Sequence, residues 1–271
     1  MMDSLGDRMK VNYENSYRIY LTRRTPAIIR IDGKAFHNFT KGLNKPYDLI
    51  FKNAMWKTTQ YLCENIQNAR LGYVQSDEIS ILMIDYNKFT TSAWFDNNIQ
   101  KICSVSASMA TMAFNKIFAK EASAAFKRPE QCVQYPRYDS FALNDARPGE
   151  FLSYQKKFGC ATFDSRVFNI PESEVCNYFI WRQQDATRNS IELLGRQHFS
   201  QKELHKVNCK QIQDKLITEK GVNWNDCPTF FKRGVCVYKV KEEARWEIDL
   251  EIPIFTQKRD FIERHLEIEE K

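Results

Sequence analysis

Asp32, Asp77 and Glu78 each stand at the edge of an apolar run: Asp32 closes Ala27 to Ile31 and precedes Gly33, and Asp77 and Glu78 precede Ile79 to Ile84. Clustered carboxylates repel one another unless a cation neutralises them, and hard oxygen donors select Mg²⁺, which keeps waters and bridges to phosphate oxygens. A pair of such ions clamps the attacking and leaving oxygens of an in-line phosphoryl displacement, the palm logic of nucleotidyl transfer. The same residues also have a plain structural reading, because Asp-Gly is a common turn and Ser-Asp-Glu a common hairpin tip. What separates the readings is whether the fold brings the acids together.

The elements that must position them follow from periodicity. Leu5 to Leu21 has a helical, amphipathic pattern, and Ala27 to Ile31 is a short β-branched run ended by the Asp32-Gly33 turn. Asp48 to Ile66 spaces Ile50, Met55, Tyr61 and Leu62 at helical intervals, with Asp48 as N-cap. Leu71 to Val74 and Ile79 to Ile84 are strands joined by a hairpin at Gln75 to Glu78. Asn98 to Phe126 is a long helix with a face of small residues (Ser104, Ser106, Ala107, Ser108, Ala110). The pattern breaks down between Arg137 and Phe151, and Cys160 to Ile170 is a strand pair or one bent strand.

Residues 27 to 170 thus spell strand, helix, strand, strand, helix, strand, the ferredoxin-like βαββαβ order of an α+β, polymerase-type palm. Its first and third strands are antiparallel neighbours, which places Asp32 beside Asp77 and Glu78. The remainder is mainly helical: Pro171 opens a helix, Ser200 to Glu203 is a capping-box pattern, Gly221 stops a helix begun near Asn208, and Val235 to Val240 with Trp246 to Leu250 form a terminal hairpin. The expected division is a catalytic unit over 1–170 and a helical and hairpin elaboration over 171–271, packed on it without a linker.

Composition narrows the class. Of 271 residues, 43% are hydrophobic and 27% charged, with 9 Gly and 8 Pro, which excludes a disordered or low-complexity chain. Apolar runs fall far short of the roughly 20 residues of a membrane span, and the start, MMDSLGDRMK, lacks the apolar centre of a signal peptide, so no membrane and a cytoplasmic location are expected. The 8 cysteines include no CxxC and read as reduced core thiols. A net charge of +6 suits a polyanion such as RNA but is also ordinary. His198 and His205 have no partner that completes a metal set, and Trp56, Trp94, Trp181, Trp224 and Trp246 read as core.

Six ordered segments resemble one family. Arg30-Ile-Asp-Gly-Lys-Ala-Phe-His37, Lys45-Pro-Tyr-Asp48 and Gln75-Ser-Asp-Glu78 look like the metal and nucleotide motifs of the tRNA(His) guanylyltransferases. Phe163-Asp-Ser-Arg166, Trp181-Arg-Gln-Gln-Asp185 and Asn223-Trp-Asn-Asp-Cys-Pro-Thr-Phe230 resemble its later motifs. The resemblance implies that Asp32, the Gly33 carbonyl and Asp77 hold two Mg²⁺ ions, with Glu78 supporting catalysis. It places Arg30, Lys34, Phe36, His37, Lys45, Asp48 and Ser76 around the nucleotide, with ATP or GTP as activating and incoming nucleotides. Arg182, Arg188, Asn189, Lys232 and Arg233 would meet tRNA, although a basic pair such as Lys232-Arg233 at a strand start is more often a solvated turn. A homotetramer is implied as well.

One stretch departs from the family. Where guanylyltransferases continue with H-I-N-N-L-Y-N-T, Thr187 to Leu194 reads T-R-N-S-I-E-L-L, and only Asn189 agrees. This resembles the guanylyltransferase-like branch, which repairs 5′-truncated tRNAs on a template by 3′-to-5′ addition. Guanine addition to tRNA(His), a nucleotide cyclase sharing the palm, and a catalytically dead RNA-binding module remain as alternatives.

Overall fold

In the computed structural model, residues 4–127, 148–240 and 245–268 are described. The six strands are β1 (Ala27–Gly33), β2 (Ala69–Gln75), β3 (Glu78–Met83), β4 (Phe163–Asn169), β5 (Val235–Val240) and β6 (Arg245–Asp249). All pair antiparallel in a single sheet ordered β4-β1-β3-β2-β5-β6. The C-terminal hairpin therefore continues the sheet through β2. Residues 160–170 contribute one strand.

Helices lie on both faces. α1 (Ser4–Met9) and the short α2 (Phe36–Phe39) precede α3 (Leu49–Asn65) and α4 (Ile99–Lys127). α5 (Pro148–Gln155), α6 (Glu172–His198), α7 (Cys209–Lys220), α8 (Thr229–Arg233) and α9 (Asp260–Glu263) follow. Strand pleat sends Ile29, Ile31, Ile79 and Ile81 into a core with Phe36, Phe51 and Phe114, under α3 and α4. Ile28, Leu71 and Leu82 point the other way, against Val175 and Phe179 in the first half of α6. The second half of α6 runs on, and its Ile191 and Leu194 join the first core.

Local chemistry explains several ends. Asp48 has extended dihedrals and accepts from the Phe51 amide at 2.8 Å, satisfying one of the orphan donors that start α3. Asn208 and Gln211 exchange reciprocal bonds of 3.0 and 2.9 Å at the start of α7, and Gly221, at φ +66°, closes it in the left-handed region.

Three expectations are corrected. Leu5 to Leu21 is not one helix: α1 passes into a π-turn at Lys10–Glu14 and a 3₁₀ turn at Asn15–Tyr17, then extends so that the Leu21 amide reaches the Asn97 carbonyl. Its Leu5, Val11, Tyr13 and Tyr17 are exposed, so no packed stripe holds a long helix, and isolated helices of this length are marginal. The Ser200–Glu203 box forms, with the Ser200 amide donating to Glu203 at 2.8 Å, but only turns follow it; Lys206 takes a left-handed φ of +60° before a second helical turn is made. Finally, α4 is long and apolar enough by length and composition to cross a membrane. Here Ile102, Ala110, Phe114, Phe118 and Ala122 are buried on its inner face. The irregular stretch expected from Arg137 lies outside the described residues up to position 147.

Candidate active site

The register of three strands builds the site. Asp32 on β1 stands opposite Glu78 on β3 and Asp164 on β4, and two residues back Arg30 stands opposite Ser80 and Arg166. With a side-chain period of two, these form an acidic row and a basic row on the face that α6 covers. Asp77 sits in the two-residue turn between β2 and β3, where Ser76 adopts φ +50°. Its carbonyl accepts from the Gly33 amide at 3.1 Å, which ties the Asp-Gly turn to the hairpin tip. A Cβ at Gly33 would lie 2.4 Å from the Phe36 ring, so this close approach requires glycine.

The three expected acids have different partners. Glu78 is gripped by Arg30 at 2.5 Å and by Arg182 at 2.6 and 3.1 Å. Burial pushes its carboxyl up and the two guanidinium groups oppose that rise. Arg182 also binds Asp185 at 2.8 Å and stacks on Trp181, 4.3 Å from the ring centroid. Glu78 is thus a neutralised clasp between sheet and helix. Two expectations change with it: the Arg182 side chain is only 4% exposed and is committed to Glu78 and Asp185 rather than offered to RNA, and Trp181, expected in the core, is exposed.

Asp32 and Asp77 have no such clasp. Burial, then the charge of Asp164, pushes the Asp32 carboxyl up, against Arg30, Arg166 and Arg182. Burial also raises Asp77; the Ser76 hydroxyl pulls it back, and the charge of Asp32 adds to the rise. Two desolvated carboxylates that disfavour each other's charge, beside a backbone turn, are a hard-oxygen donor pair that fits Mg²⁺, which takes one or two protein carboxylates together with substrate phosphates. Among the described residues no group of three or more His, Cys, Asp and Glu is arranged to hold a metal. Asp32, Asp77 and the Gly33 backbone, the three expected ligands, adjoin one another, and Glu78 stands beside them on β3.

Of the residues expected around a nucleotide, Lys34, His37, Lys45 and Ser76 are exposed; Lys34 and Ser76 adjoin Gly33 and Asp77 in the chain, and the Lys45 carbonyl accepts from Gln197 near the end of α6. Phe36 differs: it is 3% exposed and packs on Phe39, Phe114 and Phe163 with ring centroids 5.0–5.5 Å apart, so its side chain belongs to the core. The Asp48 carboxylate is likewise buried and occupied, by the Phe51 and Asn44 amides and the Tyr154 hydroxyl. Arg188 and Asn189 are exposed, both bonded to Asp185. Lys232 donates to the Asn225 carbonyl at 2.5 Å and lies over Trp224, next to the half-buried Arg233.

The sequence reading missed Lys52. With Gln75, Ser76, Asn189, Ser190 and Phe230 it lines a cavity of about 60 Å³ between the hairpin tip and α6. Burial lowers its pKa to about 8, against the pull of Asp77. The signal was present: a lysine in the opening turn of a helix faces the positive end of the dipole, where cations are disfavoured. Asp164, opposite Asp32 on β4, is a second such residue: the Phe163-Asp-Ser-Arg166 segment does not by itself give it a role.

A family model described as tRNAHis guanylyltransferase (Thg1) matches residues 6–171. The chain belongs to the tRNAHis guanylyltransferase family. That family is one of nucleotidyltransferases. A solved bacterial tRNA(His) guanylyltransferase (Thg1)-like protein in complex with ATP is 45% identical, with TM-score 0.79 over 98% of this chain and all of that one. A bacterial Thg1-like protein in complex with GTP is 43% identical at TM-score 0.73, over 97% of this chain and 99% of that one. An uncharacterised protein of Acanthamoeba polyphaga mimivirus is 28% identical over 88% of this chain and 77% of its own length. The Arabidopsis thaliana tRNA(His) guanylyltransferase 1 is 26% identical over 80% of this chain, a match that spans 34% of that protein.

The stretch that departs from the guanylyltransferase motif has a structural account. Thr187 donates to the Lys232 carbonyl at 3.1 Å, Ser190 accepts from the Trp224 indole at 3.0 Å, and Ile191 and Leu194 are buried. It docks α6 onto the segment that carries Lys232 and leaves Asn189 in the cavity.

Proposed function

We propose that this member of the tRNAHis guanylyltransferase family adds nucleotides to the 5′ end of truncated tRNA in the 3′-to-5′ direction, choosing each by pairing with the opposite strand. The observation that carries the reading is the pair Asp32 and Asp77, held together by the β1–β3 register and the Gly33–Asp77 bond while Glu78 is withdrawn into the clasp. In this reading β1 to β4 and their helices are a ferredoxin-like palm spanning residues 1–170, the rest is an elaboration packed on it, and the working assembly is a homotetramer. Asp32, Asp77 and the Gly33 carbonyl would hold Mg²⁺, which supplies charge neutralisation to phosphate oxygens when bound.

The chain's own groups orient the substrates. Lys34, Lys45 and Lys52 offer fixed positive charge to phosphates from three sides, and Ser76 offers a hydroxyl at the hairpin tip. The 3′ hydroxyl of the incoming nucleotide attacks the 5′ phosphorus of the tRNA, activated as a triphosphate or as an adenylate made from ATP. One P–O bond forms, the bond to pyrophosphate or AMP breaks, and the hydroxyl proton leaves to solvent. Templated choice rests on the replaced Thr187 to Leu194 stretch.

Incubation with 5′-truncated and intact tRNA(His), labelled nucleotides and Mg²⁺ tests this. Growth of the 5′ end by complementary nucleotides of all four kinds is the expected result. Guanine alone, added against a non-complementary base, would return the protein to guanine addition, and cyclic nucleotide formation without RNA would make it a cyclase.

A further inference from the structure

Between α2 and α3 the chain presents Asn44 and Lys45 to solvent, flanked by the buried Leu43 and Tyr47. Only turns and bends connect the two helices, so the strip needs outside support. The Asp48 carboxylate, 3% exposed, divides its two oxygens between two tasks. Oδ1 accepts from the Phe51 amide and caps α3, whereas Oδ2 accepts from the Asn44 amide at 3.2 Å and from the Tyr154 hydroxyl. The Asn44 side chain in turn donates to the Tyr154 hydroxyl at 3.3 Å, so Asn44, Asp48 and Tyr154 close a ring of three bonds. Tyr154 is 2% exposed and lies 106 residues from Asp48. Phe118 and Phe126 of α4 flank its ring, with centroids 6.1 and 5.3 Å away, so the hydroxyl is delivered from a packed core. Burial pushes the Asp48 carboxyl up, and the Tyr154 hydroxyl leads the groups that pull it back. An ionised carboxylate only accepts hydrogen bonds, so Asp48 has nothing to offer a phosphate.

A second support arrives from the opposite side. Gln197, near the end of α6, donates to the carbonyl of Lys45 itself at 3.3 Å. Lys157 donates to the Lys41 carbonyl at 2.9 Å, at the start of the same strip. Tyr47 packs on Phe230 and Phe231 with ring centroids 5.2 and 5.1 Å away, and those two rings line the cavity shared by Ser76 and Lys52. The backbone of Lys45 is therefore fixed by groups more than 100 residues away in sequence, while its side chain stays exposed.

We propose that Tyr154, acting through Asp48, and Gln197, acting on the Lys45 carbonyl, are positioning residues that hold Lys45 ready for the phosphates of the nucleotide. The inference rests on the reading of Lys45 as a phosphate-binding residue and adds two residues that none of the sequence motifs contains. Its physical basis is the cost of ordering a loop: each residue whose backbone is fixed before binding spares the nucleotide that cost. Asp48 then serves the nucleotide without touching it. Because Oδ1 keeps the cap of α3, loss of the Tyr154 hydroxyl loosens the 44–48 strip and leaves the helix start in place.

The test places Tyr154→Phe and Gln197→Ala separately in the parent protein and in Lys45→Ala. ATP affinity is read by titration calorimetry with Mg²⁺, and KM and kcat for ATP from the extension of 5′-truncated tRNA. In the parent background each change should weaken ATP binding and raise KM about threefold to tenfold, the range spanned by one lost hydrogen bond. The value of kcat at saturating ATP should stay within about twofold, because only binding has been altered. In Lys45→Ala neither change should weaken ATP binding further, since the group they position is gone. Equal losses with and without Lys45, a fall in kcat at constant KM, or unaltered ATP binding by Gln197→Ala would overturn the proposal. Gln197 is exposed, so its variant decides the matter even where Tyr154→Phe lowers the melting temperature. Failure of the parent to extend any RNA would sink the functional reading instead, while the calorimetric comparison would still decide whether Lys45 is positioned in this way.

Discussion

On the α3–α4 side of the sheet, Ile29, Ile31, Ile79 and Ile81 are fully buried under a cluster of phenylalanines; on the α6 side the same strands present Arg30, Asp32, Glu78 and Ser80. The pleat alone separates them, since neighbouring residues on one strand point in opposite directions. The contrast shows how the protein holds costly charge at the edge of its core. Burial of large apolar side chains on one face stabilises the strands, each contributing about 1.5–3 kcal/mol. On the other face the acids' own burial raises their carboxyls. Within the charged face there is a second contrast, between Glu78, which two arginines neutralise, and Asp32 and Asp77, which are left to repel.

The largest effect should come from the unclasped pair. Asp32→Asn or Asp77→Asn should lower nucleotide addition by at least about 10²–10³, the scale of one lost electrostatic group at a reacting centre. Melting temperature at pH 7 without metal should hold or rise. The sign follows from the raised carboxyls: the folded state prefers them protonated, so their contribution is most favourable below the ordinary carboxylate range and is lost as pH rises through it. A marked fall in melting temperature would show that these acids serve the fold, erasing the difference from Glu78.

Next in size is the clasp against the core. Glu78→Gln leaves Arg182, 4% exposed, with Asp185 but without Glu78, and should cost up to about 3–5 kcal/mol of stability in denaturant unfolding. Phe114→Ala on the opposite face should cost about as much through its cavity. The two should respond differently to a second change: Arg182→Met should recover more than half of the loss from Glu78→Gln and none of that from Phe114→Ala. If it recovers neither, Glu78 is not held as a pair.

The smallest effect belongs to Lys52. Its charge is present below about pH 8 and lost above it. The KM for nucleotide should therefore climb above pH 8, and Lys52→Met should raise it by about tenfold at pH 7, the scale of a charged hydrogen bond. Lys52→Arg should flatten the pH dependence; an unchanged profile would place the nucleotide's phosphates elsewhere.

Much of this fold could be read locally. The β2–β3 hairpin, the Asp48 and Asn208 caps and the Gly221 stop all depend on residues within four positions of one another, and each forms. Where the reading erred, the deciding partner was distant or missing. Leu5 to Leu21 has a helical period but leaves Val11, Tyr13 and Tyr17 exposed, and the Ser200 box makes its bonds while Lys206 turns the chain away.

The candidate site divides along the same line. From sequence alone, strand order and the period of two determine that Asp32 meets Glu78, because antiparallel register is local arithmetic once the elements are known. Only the tertiary structure decides what each acid does. Arg182 lies 104 residues from Glu78, and its arrival converts one carboxylate of a matched set into a structural clasp. The same folding places Phe36 in the core, Trp181 at the surface and Lys52 against the hairpin tip. Side-chain type fixes which interactions are available, but pKa and role depend on desolvation and on neighbours, and those are set by helices packing across the sheet.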